Sequence, residues 1–258
     1  MSATATNVAA GPPVIRQVPV DRPWAWLAAG WRDILAAPAV SLTYGGLFAV
    51  LGWILAWAAF SAGRFWLILP ATSGFLLVAP MLAVGLYECS RLREQGQSST
   101  LAVAFGAWRR NAGQIGVMGV ALLLLNLFWV QIAGLLFMLF FGAGFSGAVE
   151  DIPSAMLRHP ALLPFLVVGT FAGFLLAATT FMLAAFAIPM LLDRDIGAVE
   201  AMIASTKAVL LNIPAMLLWA ALIVGFTAGG LATLFLGLAV VLPLVGHASW
   251  HAYRDLFR

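Results

Sequence analysis

Six long apolar runs, 39–60, 65–87, 115–141, 161–192, 213–228 and 231–250, divide this chain, and no Asp, Glu, Lys or Arg falls inside any of them. A hydrocarbon layer demands about 20 consecutive apolar residues per helical span and rejects unpaired backbone groups. Every run except the fifth exceeds the threshold of about 18 residues for a span. The chain is 63% hydrophobic and 9% charged, where a soluble domain carries roughly 25% charged residues. The expected fold is therefore all-α: a polytopic membrane protein of six transmembrane helices. The fifth run passes through Gly229 and Gly230 into the sixth, which predicts a tight hairpin there in preference to one long broken helix.

Cytoplasmic loops retain Lys and Arg, so loop charge sets the orientation. With the amino terminus inside, the inner side holds Arg16, Arg22, Arg32, Arg91, Arg93, Arg109, Arg110, Arg194, Lys207, Arg254 and Arg258, and the outer side holds only Arg64 and Arg158. The expected location is a bacterial inner membrane with both termini cytoplasmic. Residues 1–21 read as a disordered tail and 22–258 as a single membrane domain. The net charge is only +3 and the basic residues are scattered among apolar runs, so nucleic acid is not an expected partner. Single Cys89 leaves no cysteine pair for a disulfide or a thiol cluster.

Three amphipathic stretches precede the odd-numbered runs. In 24–37, Trp24, Trp31, Ile34 and Leu35 read as a face opposite Arg32 and Asp33; 99–110 places Leu101, Phe105 and Trp108 at helical spacing; 197–211 sets Met202, Ile203, Val209 and Leu210 against Glu200 and Lys207. Each suits a helix lying in the headgroup plane. Prolines interrupt the even-numbered runs at Pro80, Pro189 and Pro243, where a missing N–H should kink the helix. The recurrence defines three units, 22–94, 99–195 and 196–258, each an interfacial helix followed by a helical hairpin.

Polar chemistry gathers where the even-numbered runs end. His247 and His251 lie four apart on one helical face, a spacing that suits a metal or an axial haem ligand. Two ligands are too few, and Glu88, Cys89 or Asp193 would have to join them. The plain alternative is two imidazoles anchoring a helix end among headgroups beside Trp250 and Tyr253. Asp193, Arg194 and Asp195 follow the fourth run and suit capping and ion pairing, or a cytoplasmic gate or docking point. With Glu88, Arg91, His247, His251 and Arg254 they form the expected polar cluster at the inner boundary. Within the runs, Asn126 and Gln131 are the costliest polar groups and are expected to bond across helix interfaces or to line a polar cavity. No GxSxG, HExxH or P-loop motif occurs, so no catalytic residue and no cofactor is assigned.

The stretches 80–88, 191–198 and 236–254 resemble a family of predicted bacterial integral membrane proteins catalogued as a domain of unknown function. The resemblance extends over 22–258. Some relatives carry a cytochrome c oxidase subunit label, which implies association with respiratory membranes. This chain lacks the several intramembrane histidines of a haem-copper core, so a catalytic subunit is excluded. The expected role is an accessory, assembly or scaffolding subunit of a respiratory or other inner-membrane complex, with the bilayer as its constant partner. The alternative is a carrier or channel for a small or lipidic solute, and the third reading is haem or metal binding through His247 and His251.

Overall fold

The computed structural model describes residues 14–62, 79–142 and 159–257, and among these every extended element is a helix. In chain order they are α1 Arg22–Ala36, α2 Pro38–Ser61, α3 Val84–Glu94, α4 Leu101–Gly106, a 3-10 turn Ala107–Asn111, α5 Ala112–Phe141, α6 Leu162–Ala184, α7 Ala187–Asp193, α8 Ala198–Leu211, α9 Ile213–Ala232 and α10 Leu238–Leu256. Among the described residues four stretches are long and apolar enough to cross a membrane: Pro38–Ser61, Leu101–Phe141, Leu162–Asp193 and Ile213–Ala232. The second expected span lies outside the described residues over 65–78, as does most of the expected outer segment, 143–158. The sixth expected span is represented by α10, which starts at Leu238 rather than 231 and is polar towards its end.

α9 and α10 run antiparallel, as the hairpin reading requires, but the turn does not sit on Gly229 and Gly230. Helix α9 continues through both to Ala232, and Thr233–Gly237 makes the reversal. Leu234 and Phe235 take the positive φ angles, 54° and 68°. Thr233 stabilises the bend, donating from Oγ1 to the Gly230 carbonyl at 2.8 Å and accepting from the Gly237 N–H at 2.7 Å. Gly230 serves instead for close approach: a Cβ there would sit 2.8 Å from Leu238.

Helix α10 is the centre of the molecule. Trp250, Tyr253, Leu256 and Phe257 are fully buried among Trp26, Ile188, Met190 and Trp219. Two helices reach it through glycine. A Cβ on Gly30 of α1 would lie 2.7 Å from the Ala248 nitrogen, and one on Gly45 of α2 would lie 2.4 Å from the Ala239 carbonyl and 2.6 Å from the Pro243 ring. Pro243 cannot donate to Ala239, and Gly45 packs onto the carbonyl so exposed. The proline leaves α10 continuous, whereas α6 and α7 are separated at Ala185 and Phe186, four and three residues before Pro189. There the Ser205 hydroxyl enters the ladder, accepting from the Phe186 N–H at 3.1 Å and donating to the Met182 carbonyl at 2.8 Å.

Two expectations change. Asp33 and Ile34 lie on the buried face of α1 with Trp26 and Gly30, while Trp24, Trp31 and Leu35 are exposed beside Arg32. Within the stretch 1–21, residues 16 and 18 are also tied to the helices. Its residues 1–13 lie outside the described part, but Arg16 N–H donates to the Leu256 carbonyl at 2.9 Å and Val18 N–H to Asn212 Oδ1 at 2.8 Å. Unpaired edges of α9 and α10 supply the partners that composition could not reveal. Each helix leading into a span breaks at one residue of similar backbone geometry: Ala37 (φ −139°, ψ 61°), Asn111 (−144°, 57°) and Asn212 (−126°, 33°).

Replacing Gly45 with Ala is expected to destabilise the protein by about 1–3 kcal/mol through overpacking. Gly46→Ala, where a side chain meets open space, should be neutral. Thermal unfolding of both variants in mild detergent, followed by circular dichroism, checks the contrast.

Candidate functional site

The charged end of the molecule holds three buried carboxylates, each surrounded by its own set of polar partners. Asp33 is 5% exposed, Glu88 4% and Asp255 8%. A carboxylate this deep persists only when its oxygens are saturated with donors. For Asp33 these come from α3 and α10: Ser90 Oγ donates to Oδ2 at 2.5 Å, His251 Nε2 lies 2.8 Å from the same oxygen, and Arg93 pairs with Oδ1. Asp255 accepts from Arg22 Nε at 2.5 Å and from the Trp26 indole at 3.0 Å, with Arg16 at 3.5 Å. Glu88 takes a two-pronged contact from Arg91, at 2.7 and 2.8 Å, and has Arg110 at 3.6 Å.

A directed chain of hydrogen bonds ends on Asp33. Ser90 has one proton, and it goes to the carboxylate, which can only accept. His247 Nδ1, 2.7 Å from Ser90 Oγ, must then donate, and in the neutral ring Nε2 accepts from the Ser41 hydroxyl at 3.0 Å. Both ring nitrogens are thus spent. The chain thereby links α2, α10, α3 and α1. Burial alone would raise the Asp33 pKa, but the hydrogen bonds from His251 and Ser90 lead the interactions that outweigh it, holding the carboxyl below its ordinary 3.8. Asp255 behaves alike: burial is overcome by Arg22, Trp26 and Arg16, and its pKa is lowered from 3.8.

Most of the residues expected at the inner boundary converge here. His247 and His251 meet through Asp33, and Glu88 is held by Arg91. Asp193 accepts from the Tyr253 hydroxyl at 2.8 Å and from Arg254 at 3.4 Å, and Arg194 donates to the Tyr253 oxygen at 3.1 Å. Asp195 is exposed and stands outside the assembly. Sequence reasoning missed Asp33, Ser41, Ser90, Arg93, Glu94 and Asp255. For Asp33 a signal existed: Trp26, Gly30 and Asp33 recur at helical spacing on one face of α1, and that face is the buried one.

As a ligand set the two histidines are already committed. Glu88 is occupied by arginine, and among the described residues no group of three or more His, Cys, Asp or Glu is arranged to hold a metal ion. Two concavities stand out, an open furrow of 480 Å³ between α9 and α10 and another of 410 Å³ beside α8; apolar side chains dominate both, and neither is lined by the Asp33 assembly. Among the described residues neither Asn126 nor Gln131 bonds as expected: Asn126 Oδ1 is buried and meets no partner there, and Gln131 is on an exposed face.

Residues 68–193 match the family model DUF2189, a predicted integral membrane protein. The match takes in just under half of the chain, including Glu88, Arg91 and Asp193, and ends before His247, His251 and Arg254. It agrees with the resemblance to membrane proteins of unknown function, and the chain is an integral membrane protein with several apolar helices. No curated protein and no solved structure matches it.

Removing the Asp33 carboxylate leaves buried Ser90 and half-buried His251 without their acceptor, and Asp33→Ala is expected to cost about 3 kcal/mol. Because Asp33 and Asp255 hold pKa values lowered from 3.8, the stability they confer is complete above that value and is lost as pH falls through their folded-state values. Thermal unfolding from neutral pH down to about pH 3 should therefore show a flat region and then an acid decline. In Asp33→Ala the neutral-pH stability falls and the acid decline becomes smaller.

Proposed function

We propose that this chain is an accessory or scaffolding protein of the bacterial inner membrane, with both termini cytoplasmic, that offers apolar helix surface to the membrane subunits of a larger complex. The observation that carries this reading is the contrast between its two ends. Only 6% of the most apolar window of Leu101–Phe141 is buried within the protein, and 22% and 28% for Pro38–Ser61 and Ile213–Ala232. The charged end, by comparison, is locked by buried ion pairs and fully buried aromatics. A rigid base with outward-facing spans suits holding other helices in place.

The three-unit repeat belongs to the same proposal. Its support is the order in which a short helix enters each of α2, α5 and α9, and the similar backbone geometry of Ala37, Asn111 and Asn212 at the junctions. Six spans in three hairpins follow if 65–78 and α10 complete the set. The cytoplasmic assignment of the charged end rests on the loop arginines.

A photoreactive amino acid placed at Trp53 or Val224, which are 51% and 67% exposed, tests the role in native membranes. The expected result is a small set of protein adducts of constant mass, identifiable by mass spectrometry as the same membrane subunits from either position. Adducts with lipid alone at both positions would overturn the scaffolding reading.

A further inference from the structure

Gln131 is where α5 departs from its own chemistry. It lies just past the middle of the 115–141 run, its side chain is exposed, and among the described residues it has no hydrogen-bond partner. A carboxamide facing hydrocarbon alone is costly, because nothing there replaces the bonds that water would have made.

Its neighbours on the helix surface form a regular seam. Val117, Val120, Leu124, Leu127, Gln131 and Met138 advance by alternating steps of three and four once Gly134 is counted between the last two. The five apolar members are 49–63% exposed, and a Cβ on Gly134 would meet open space. The opposite side of α5, with Ile115, Met118 and Leu122, is buried against the rest of the protein. A 3–4 spacing is the seam of a left-handed helix pair, and one polar residue within such a seam sets register and partner number.

We propose that a second copy of this chain docks along this seam, forming a parallel dimer through α5 with Gln131 against Gln131. Identity of the partner follows from depth and chemistry. Two copies inserted in the same orientation bring the same residue to the same level of the bilayer. A carboxamide is self-complementary, with an NH2 that donates and an oxygen that accepts, so one two-fold axis satisfies both side chains. Gly134 allows close approach one step further along, as small residues do in membrane helix pairs. This dimer does not depend on the scaffolding role, and purified protein tests it with no other protein present.

The full-length protein, in a Cys89→Ala background and reconstituted in phosphatidylethanolamine and phosphatidylglycerol vesicles, provides the experiment. A Leu127→Cys substitution on the seam should give an oxidised dimer. Leu123→Cys, 50% exposed but off the seam, should give little. Adding Gln131→Leu to the Leu127→Cys protein should lower the dimer yield about five- to tenfold, and Gln131→Asn should retain most of it. Analytical ultracentrifugation of the otherwise native chain and its Gln131→Leu variant in mild detergent, with helical content as a folding control, reads the same loss without added cysteines. Monomers throughout, equal cross-linking from both positions, or a dimer indifferent to Gln131→Leu would overturn the proposal.

Discussion

A carboxylate buried in the body of a protein must be surrounded by donors, and in this chain that requirement organises everything at the charged end. Asp33 sits on α1, outside the four membrane-crossing stretches, and its donors come from α3 and α10. The pairing can form only in one register of these helices. Ser41 and His247 extend the same constraint to α2. Breaking such a group out of its partners is expensive, whereas an intact buried pair adds little net stability over apolar packing. The network's physical contribution is thus selection of an arrangement. The cohesion comes from the apolar surface around it, above all Trp26 edge-on to Trp219 at 5.7 Å and the fully buried Trp250, Tyr253 and Phe257.

The spans obey different rules. Helices as apolar as α5 and α6 gain nothing from the hydrophobic effect by leaving lipid for one another, so packing detail and polar contacts decide which faces meet. Where α6 crosses α5, Trp129 lies 3.2 Å from where a Cβ on Gly173 would stand, and Phe137, Phe140 and Phe141 surround Phe165. Elsewhere Pro38–Ser61, Leu101–Phe141 and Ile213–Ala232 keep most of their surface open. Position is imposed on them from the charged end: Gln114 at the start of α5 accepts from the first N–H of α8 at 2.8 Å, and Asn111 and Arg110 take the last carbonyls of α7.

The membrane character was legible because hydrocarbon imposes a one-dimensional rule, length of apolar run, that needs no knowledge of partners. The gathering of charge beside Glu88, Asp193 and His247 was legible for the same reason, since charges are excluded from the runs. Asp33 is hidden, because its charge suggests a solvent-facing side whereas its position on the 3.6-residue period puts it with Trp26 and Gly30. The α9–α10 turn was misplaced by an analogous shortcut. A glycine pair reads as a bend in sequence, yet Gly230 is needed for its missing side chain, while Thr233 supplies hydrogen bonds that let Leu234 and Phe235 adopt the left-handed region. The ending of α10 was hidden because a helix that leaves the apolar layer and enters a protein core looks, in sequence, like one ending among headgroups.

That same helix explains why the 68–193 match is not a self-sufficient unit. The segment contains Glu88 with its arginine partners, but several of its other charged groups are completed from outside it. Arg93 and Ser90 reach Asp33 on α1; Asp193 depends on Tyr253 and Arg254 of α10; Glu94 pairs with Arg254 at 3.1 Å. Gly246 of α10 also receives Leu86 at a distance, 2.6 Å from a notional Cβ, that admits no larger residue without movement. Without α1 and α10 the matched segment would expose Ser90 and the inner surface of α3, together with the Ile188 and Met190 side chains that α10 covers. The matched segment is therefore completed by α1 and α10, and an isolated antiparallel bridge between Ile15 and Phe257 ties the chain ahead of α1 to the end of α10.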